Sequence, residues 1–196
     1  SPRFCPCPTV ISIMDIAFLR FPEMFRRNDL YQLKNWTGYS VKKAARILTI
    51  SQSAKNDIIK YYRVPKDKVI VTYPGFNMAS NIQKKYGITG DYILSVGTLQ
   101  PRKNYVRLIE AFKKLKTQSL ELIIVGKKGW LWEEILKAPK KFGVENKVKF
   151  LDFVNDEDLA ALYKGAECCV LVSLYEGFGI PILEAMNFGC PVVASN

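Results

Sequence analysis

Apolar and polar positions follow two different periods along the chain. Short runs of consecutive Val, Ile and Leu, such as "YILSVGT" (92–98) and "LELIIVG" (120–126), predict buried strands. Between them lie stretches with apolar residues at helical spacing, such as "NYVRLIEAFKKLK" (104–116). Strands that alternate with helices in this way are typical of an α/β fold with parallel sheets. The sequence therefore predicts Rossmann-like, doubly wound domains.

The same pattern predicts the remaining elements. Strands are expected at 9–14, 46–51, 68–73, 92–98, 120–126, 147–154, 168–173 and 191–195, and helices at 23–45, 53–62, 104–116, 131–143, 156–166 and 181–189. The first helix follows Pro22, and Gly38 favours a break in it. Ser51 or Ser53 is expected to cap the second helix at its N-terminus.

The elements form two series separated by "PGFNMASN" (74–81), which has the composition of a linker. Residues 1–75 offer three strands, so they are expected to be the C-terminal part of one doubly wound domain. Residues 76–196 offer five strands and stop at a strand with no covering helix, so this second domain is expected to lack its last elements. The sequence thus predicts two domains, both incomplete.

The chain carries a net charge of +11, concentrated in its first part. Residues 1–75 hold 13 Lys and Arg against 5 Asp and Glu, whereas residues 76–196 hold 16 against 13. Such an excess favours an anionic partner: a phospholipid surface, a phosphorylated acceptor or a nucleic acid. A solubilising surface explains it equally well. Aromatic and basic residues do not interleave as in strand motifs that bind RNA, so nucleic acid ranks last among these partners.

Cysteine and acidic residues give little support for a disulfide framework or a metal site. The five cysteines follow no zinc spacing, and the chain has no histidine. The acidic run "DED" (156–158) is better explained by Asn155 or Asp156 as the N-cap of the following helix. We therefore expect no metal, no cofactor and a reducing, cytosolic setting.

Two cations stand where the first strand of the second series gives way to a helix. In "VGTLQPRKN" (96–104), Gly97 permits close backbone approach, and Arg102 and Lys103 directly precede the helix. Ligands in open α/β sheets bind beyond the carboxyl ends of the strands, and a helix N-terminus with cations suits a diphosphate. An exposed basic turn is the alternative interpretation. The similar turn "GKKGW" (126–130) is as consistent with a plain basic turn as with a nucleotide pocket.

A second candidate is the stretch "EGFGIPILEAMNFGCPVV" (176–193). Gly177 and Gly179 keep a turn open before Pro181, which is suited to the first position of a helix. Glu184 is then expected in the first helical turn, where the helix dipole favours negative charge. An ionised carboxylate there can accept hydrogen bonds from the two neighbouring hydroxyls of a ribose. Glu176 is expected to reach a group beyond the diphosphate. Considered alone, each glutamate is better explained without a ligand: Glu184 as a surface residue that complements the helix dipole, and Glu176 as a loop charge.

Together these stretches resemble the retaining glycosyltransferases of family 4 (glycosyl transferases group 1), which have the two-domain GT-B fold. The resemblance rests on several motifs in family order, including a Glu-x7-Glu signature. They are "MDIAFLRFPEMF" (14–25), "ILTISQSAKNDI" (47–58), "YPGFN" (73–77), "ILSVGTLQPRKN" (93–104), "IIVGKKGW" (123–130) and "LYEGFGIPILEAMNFGCPVVASN" (174–196).

The resemblance implies a role for each matching residue. Arg102 and Lys103 would hold the diphosphate of the donor and stabilise the leaving nucleotide, and Glu176 would contact the transferred sugar; these three are the expected catalytic residues. Glu184 would bind the ribose hydroxyls. Five further residues are expected to line the donor site or present backbone amides to it, namely Gly97, Gly177, Phe178, Gly179 and Ile180.

The implied reaction transfers a sugar from a nucleoside-diphosphate sugar to a glycan or lipid-linked acceptor with retention of anomeric configuration. A hexosyl group such as mannose is expected, without a metal, in polysaccharide or glycoconjugate biosynthesis. The domain formed by 1–75 would belong to the acceptor side and 76–196 to the nucleotide sugar. Truncation at both ends, as the resemblance suggests, would leave this chain alone inactive. The donor base, the linkage and the oligomeric state stay open.

One departure and two rival functions accompany the resemblance. Met14 stands where family members commonly have a histidine that positions the donor sugar. A GT-B sugar-nucleotide epimerase, or a non-catalytic nucleotide-sugar-binding protein, would use a similar pocket. A cytoplasmic protein is expected, with Arg26, Arg27, Lys42 and Lys43 available for peripheral contact with an anionic membrane.

Overall fold

The chain divides into two compact units. The computed structural model describes residues 6–74, 86, 88, 90–115 and 119–195. By their contacts, the first unit comprises Ser1–Gly75 with Tyr175–Phe178, and the second comprises Phe76–Leu174 with Gly179–Asn196. The linker predicted at 74–81 lies outside the described residues except for Pro74.

The first unit contains a three-stranded parallel sheet in chain order. Its strands are β1 (Val10–Ser12), β2 (Arg46–Thr49) and β3 (Val69–Val71). Its helices are α1 (Ala17–Arg20), α2 (Arg27–Lys43) and α3 (Gln52–Tyr62). The central strand buries Ile47 completely, and Ile16 and Ile58 from the helical side are buried with it. The sheet and helices thus share one apolar core.

Helix α2 differs from its predicted form at both Pro22 and Gly38. Pro22–Met24 forms a separate 3₁₀ turn, and the α-helix begins only at Arg27. The predicted break at Gly38 is wrong, because α2 continues through it to Lys43. A glycine inside a helix costs only about 1 kcal/mol relative to alanine, and burial of Val41 in the core keeps the later turns in place.

The N-terminus of α3 is capped as the sequence predicts. The Ser51 hydroxyl accepts a hydrogen bond from the Ala54 amide at 3.0 Å, and Ser51 itself has extended backbone angles. Of the two serines considered, Ser51 is therefore the cap and Ser53 lies within the first turn.

The second unit contains a five-stranded parallel sheet in the order β6-β5-β4-β7-β8. Its strands are β4 (Tyr92–Val96), β5 (Glu121–Val125), β6 (Val148–Leu151), β7 (Cys168–Leu171) and β8 (Val192–Ala194). The helices are α4 (Tyr105–Lys114), α5 (Glu133–Phe142), α6 (Asp156–Gly165) and α7 (Ile180–Asn187). The predicted parallel α/β architecture is confirmed.

Strand β5 shows why the sheet needs helices on both faces. Leu122 and Ile124 pack into a core with α4 and α5, whereas Ile123 and Val125 pack into a core with α6 and α7. Successive side chains of a strand point to opposite faces, so a strand covered on both sides must be apolar throughout. This explains the unbroken run "LIIV" in β5.

The strand order makes β4 and β7 the switch point of the second sheet. Chain direction across the sheet reverses at this pair, because β5 and β6 continue on one side of β4 while β7 and β8 lie on the other. At such a switch point the loops after the two strands leave toward opposite faces, and ligands bind between them.

Among the helices that the structure describes, none combines the length and apolar character needed to span a bilayer.

Candidate functional site

The loop after β4 carries the two predicted phosphate-binding cations. Arg102 and Lys103 lie in the 3₁₀ turn Pro101–Lys103, directly before α4. The turn ends at Asn104, which has left-handed backbone angles (φ 61°). Both cations are therefore placed where the first amides of α4 begin, at the carboxyl end of β4.

Gly97 has a φ of 152°, which favours glycine, and the end of the Lys103 side chain lies close to it. A Cβ at position 97 would be 3.1 Å from Lys103 Cε and 3.3 Å from its Nζ. The Gly97 backbone is also fixed from both sides: its amide donates to the Val125 carbonyl, and its carbonyl accepts from the Tyr105 hydroxyl, both at 2.8 Å. The structure therefore brings Gly97 and the Lys103 ammonium together at the end of β4.

The loop after β5 runs in contact with the loop after β4. The Leu99 amide donates to the Lys127 carbonyl at 2.9 Å, and the Gly129 amide donates to the Leu99 carbonyl at 3.0 Å. A Cβ at Gly126 would come within 2.2 Å of the Gly97 carbonyl oxygen, so the two backbones cross with no room for a side chain. The "GKKGW" turn therefore belongs to the same edge of the sheet as Arg102 and Lys103.

The lysines of that turn lie against aromatic rings. Lys127 Nζ is 4.6 Å from the ring centre of Phe153, and Lys128 Nζ is 4.6 Å from that of Trp132. Such cation–π contacts contribute about 0.5–1 kcal/mol at exposed sites. They give both lysines a structural role, which agrees with the interpretation of 126–130 as a basic turn.

The loop after β7 is hydrogen-bonded to the turn that carries the same two cations. The Leu174 amide donates to the Arg102 carbonyl at 2.9 Å, and the Asn104 side-chain amide donates to the Val172 carbonyl at 3.1 Å. The left-handed conformation of Asn104 turns its side chain toward β7, and asparagine tolerates this conformation better than most residues. The loops after β4, β5 and β7 thus converge on one edge of the second unit.

Helix α7 begins one residue earlier than predicted. Gly179, with φ 90°, occupies the N-cap position, so Ile180 is the first helical residue and Pro181 the second. Pro181 has no amide hydrogen, and the Ile182 amide donates to the Gly179 carbonyl at 2.9 Å. Ile180 is left as a candidate amide donor to a ligand.

The expected position of Glu184 in the first helical turn is wrong. Because glycine can adopt left-handed angles, Gly179 starts the helix at Ile180 and makes Glu184 its fifth residue. No acidic residue lies in the first turn of α7. A carboxylate in the second turn gains little from the helix dipole, which falls off within the first turn.

Glu184 instead has a buried partner that the sequence analysis missed. The Tyr163 hydroxyl, on α6, donates a hydrogen bond to Glu184 Oε2 at 2.8 Å, and Tyr163 is 1% exposed. Burial, and then the negative charge of Glu184, raise the pKa of this hydroxyl well above its ordinary value. The signal available in the sequence was a tyrosine on the apolar face of α6, which by itself indicates only core packing.

Glu176 lies in a segment that packs with the first unit. The Tyr175 hydroxyl donates to Asp57 Oδ2 at 2.8 Å, and the Phe178 ring lies 6.0 Å from the ring of Tyr73. Burial, followed by the hydrogen bond to Asp57, raises the pKa of Tyr175 above its ordinary value. By their contacts, the two glutamates of the Glu-x7-Glu signature therefore belong to different units.

Gly177 in this segment meets the loop that carries Met14. A Cβ at Gly177 would be 3.0 Å from the Ile50 side chain, 3.1 Å from the Met14 carbonyl oxygen and 3.3 Å from Asp15 Cβ. Asp15 Oδ1 accepts from the Ala17 amide at 2.9 Å at the start of α1. Met14 itself is 56% exposed. Gly177 is thus a position of close packing within the first unit.

The acidic run "DED" (156–158) forms the first turn of α6. The Asn155 side chain accepts from the Asp158 amide at 2.7 Å, as the predicted cap requires. Asp158 is buried and accepts a hydrogen bond from the Tyr86 hydroxyl at 2.7 Å. The structural role expected for "DED" is confirmed, with Asn155 rather than Asp156 as the cap.

Comparison with known proteins gives the family of the chain. The model of the family described as "Glycosyl transferases group 1" matches residues 79–196. O-antigen chain mannosyltransferase B of Escherichia coli is 33% identical in an alignment that covers 95% of this chain and 52% of that protein. The chain belongs to the glycosyl transferases group 1.

Other relatives agree with this assignment. O-antigen chain mannosyltransferase RfbU of Salmonella typhimurium is 33% identical over 186 residues, covering 95% of this chain and 51% of that protein. The chain therefore spans about half the length of the curated relatives that it matches.

Solved structures of glycosyltransferases confirm the GT-B type of fold. Anabaena HepE, in a complex with UDP and glucose, aligns with a TM-score of 0.76 at 25% identity, over 95% of this chain and 52% of HepE. WaaG, a glycosyltransferase involved in lipopolysaccharide biosynthesis, aligns with a TM-score of 0.73 at 20% identity, over 95% of this chain and 56% of WaaG. The similarity to WaaG supports the fold alone.

Proposed function

We propose that this chain contributes the donor site of a retaining glycosyltransferase of family 4. The enzyme transfers a sugar from a nucleoside-diphosphate sugar to a glycan or lipid-linked acceptor. One observation carries the proposal: the loops with Gly97, Arg102 and Lys103 and with Val172–Leu174 are hydrogen-bonded together at the switch point of the second unit. Family membership supports the assignment to sugar transfer.

The donor diphosphate is assigned to the edge formed by Arg102 and Lys103. The Lys103 ammonium lies over Gly97 at the carboxyl end of β4, and Arg102 stands beside the loop after β7. Two positive charges next to the start of α4 suit two phosphate groups, since guanidinium and ammonium form charge-assisted hydrogen bonds with phosphate oxygens. A diphosphate bound there would lie in the crevice where ligands bind in sheets of this order.

Glu184 and Glu176 are assigned to the two ends of the donor. Glu184, on α7 in the same unit, would accept hydrogen bonds from the ribose hydroxyls. Glu176 would contact the transferred sugar, with the backbone of Gly177, Phe178, Gly179 and Ile180 providing amide donors. The position of Glu176 and Glu184 in the family's Glu-x7-Glu pattern supports these roles.

Catalysis in this proposal rests on electrostatic stabilisation of the departing nucleoside diphosphate. Negative charge grows on the diphosphate as the bond to the anomeric carbon breaks, and Arg102 and Lys103 would neutralise it. Preorganised charges of this kind contribute on the order of several kcal/mol to transition-state stabilisation. The cations take the part that a metal ion plays in other transferases, so we propose turnover without a metal.

The relatives favour a mannosyl donor and a polysaccharide product. Both O-antigen relatives at 33% identity are mannosyltransferases. HepE has been crystallised with UDP-glucose, so a uridine nucleotide is the second candidate donor. We therefore propose hexosyl transfer in surface-polysaccharide synthesis, with GDP-mannose tested before UDP-glucose.

The experiment measures donor binding and sugar transfer by the full-length protein for Arg102→Ala, Lys103→Ala and Glu184→Ala. Each substitution is expected to lower the rate of transfer at least tenfold, which corresponds to about 1.4 kcal/mol. Lys137→Ala is the matched control, because Lys137 is an exposed cation on α5 that pairs with Glu134. Excess EDTA is expected to leave the rate unchanged.

Three results would contradict the proposal. Unchanged donor binding and rate in Arg102→Ala and Glu184→Ala would show that the site lies elsewhere. Conversion of the donor sugar in the absence of any acceptor would instead identify a sugar-nucleotide epimerase, and binding without transfer to any acceptor would identify a non-catalytic binding protein.

A further inference from the structure

The carboxylate of Glu184 is held by a side chain from a different helix. Tyr163 lies on α6 and Glu184 on α7, 21 residues apart in sequence, and the phenol donates to Oε2 at 2.8 Å. A hydrogen bond from a hydroxyl to a carboxylate is charge-assisted and about twice as strong as a neutral one. The contact therefore restricts the orientation of the Glu184 side chain.

The Tyr163 ring is itself fixed by packing. It is 1% exposed within the core cluster that includes Leu94 and Ile123, and it stacks on Phe188 with 5.9 Å between ring centres and 16° between planes. A side chain packed in this way cannot move its hydroxyl without disturbing the core. The oxygen that meets Glu184 thus has a position set by the interior of the second unit.

Only part of the carboxylate is used by this contact. A carboxylate offers two oxygens and about four lone-pair sites, and the Tyr163 hydroxyl takes one site on Oε2. Vicinal hydroxyls of a ribose require a carboxylate whose plane is held in one orientation, because two hydrogen bonds must form at once. A rigid donor on one oxygen provides that orientation before the ligand arrives.

We propose that Tyr163 is the positioning residue that orients Glu184 for the ribose hydroxyls of the donor. The inference rests on the proposed function, in which Glu184 binds the ribose. Without the Tyr163 hydroxyl, the Glu184 side chain samples other rotamers, and binding must restrict it at a cost to affinity. We expect the dissociation constant for a ribonucleoside diphosphate to rise about tenfold.

The test is Tyr163→Phe, which removes the hydroxyl and keeps the ring on Phe188. Tyr92→Phe is the matched control: Tyr92 is buried in the same cluster, and its hydroxyl donates to the Leu162 carbonyl at 2.7 Å rather than to Glu184. Calorimetry measures binding of UDP and GDP, and of their 2′,3′-dideoxy analogues, to wild type, both variants and Glu184→Ala. Melting temperatures identify any variant that fails to fold.

The expected result is selective for the ribose. Tyr163→Phe binds the ribonucleotide about tenfold more weakly and the dideoxy analogue as tightly as wild type does, while Tyr92→Phe matches wild type with both. Equal weakening for both nucleotides would overturn the inference, because it would show a purely structural role for the hydroxyl. Glu184→Asp, which draws the carboxylate away from Tyr163, is expected to reproduce the loss, and wild-type affinity in this variant would also overturn the inference.

The inference and the proposed function fail in different ways. If Glu184→Ala weakens ribonucleotide binding but Tyr163→Phe does not, the positioning role is wrong and the ribose role of Glu184 stands. If Glu184→Ala leaves the affinity for UDP and GDP unchanged, or wild type binds neither, the proposed function fails and the positioning role with it.

Discussion

The crossing of the loops after β4 and β5 predicts that Gly126→Ala is far more damaging than an ordinary glycine substitution. A Cβ at position 126 would stand 2.2 Å from the Gly97 carbonyl oxygen and 2.6 Å from its carbon. Carbon and oxygen atoms in contact are normally about 3.3 Å apart. One backbone must therefore move by roughly 1 Å, since no flexible side chain is available to give way.

The cost follows from what that movement breaks. The Gly97 carbonyl accepts from the Tyr105 hydroxyl and the Gly97 amide donates to the Val125 carbonyl, both at 2.8 Å. A shift of about 1 Å takes either bond beyond hydrogen-bonding distance. Two such bonds contribute about 0.5–1.5 kcal/mol each, and a non-glycine residue at φ 153° adds about 1–3 kcal/mol of strain. The sum is about 4 kcal/mol.

Gly143→Ala is the matched control. Gly143 also has a positive φ, of 68°, but a Cβ there would meet nothing within 4 Å. Its substitution costs only the left-handed backbone penalty, about 1–2 kcal/mol. Urea unfolding followed by circular dichroism gives the free energy of unfolding for wild type and both variants. If Gly126→Ala and Gly143→Ala agree within about 1 kcal/mol, the close crossing of the two loops is wrong.

Three further predictions concern stability and reactivity. Ser51→Ala should lower the free energy of unfolding by about 1 kcal/mol through loss of the α3 cap, and an equal loss in Ser53→Ala would contradict the capping assignment. Burial raises the pKa of Tyr92 to about 12, above the unfolded value of about 10. The neutral Tyr92 hydroxyl therefore contributes at most about 3 kcal/mol to the free energy of unfolding, a contribution that is complete below pH 10 and lost as pH rises to 12. Between pH 9 and pH 11, the free energy of unfolding measured in urea should fall less in Tyr92→Phe than in wild type. Iodoacetamide at pH 8 should modify exposed Cys7 before buried Cys169, whose pKa burial raises to about 12, and equal rates by mass spectrometry would refute that burial.

The parallel sheet of the second unit could be predicted from sequence because burial on both faces leaves a distinct pattern. Leu122–Val125 are apolar without interruption since each side of β5 meets a helix layer. The helix caps Ser51 and Asn155 could also be predicted from sequence, because an N-cap hydrogen bond joins residues only three positions apart. A local sequence pattern therefore predicts the structural features that residues close together in the chain determine.

The predictions for Gly38 and Glu184 are wrong because each depends on a backbone conformation that the residue pattern alone does not decide. Helix α2 tolerates Gly38 because Val41 is anchored in the core, which propensity does not reveal. Helix α7 begins at Ile180 because Gly179 adopts left-handed angles, and Pro181 alone favoured a start one residue later. Glycine thus continues a helix at position 38 and begins one at position 179.

Several glycines of the family motifs are explained by local packing or backbone conformation. A Cβ at Gly126 would stand 2.2 Å from the Gly97 carbonyl oxygen, one at Gly177 would stand 3.1 Å from the Met14 carbonyl oxygen, and Gly97 has a φ of 152°. A glycine in a family motif is therefore not by itself a sign of contact with phosphate or sugar. Among the described parts of the site, the charged groups of Arg102 and Lys103 carry the argument for an anionic ligand. For that reason, loss of donor binding in Arg102→Ala and Lys103→Ala tests the proposed diphosphate site directly, whereas loss in a glycine variant shows only that the loop packing has changed.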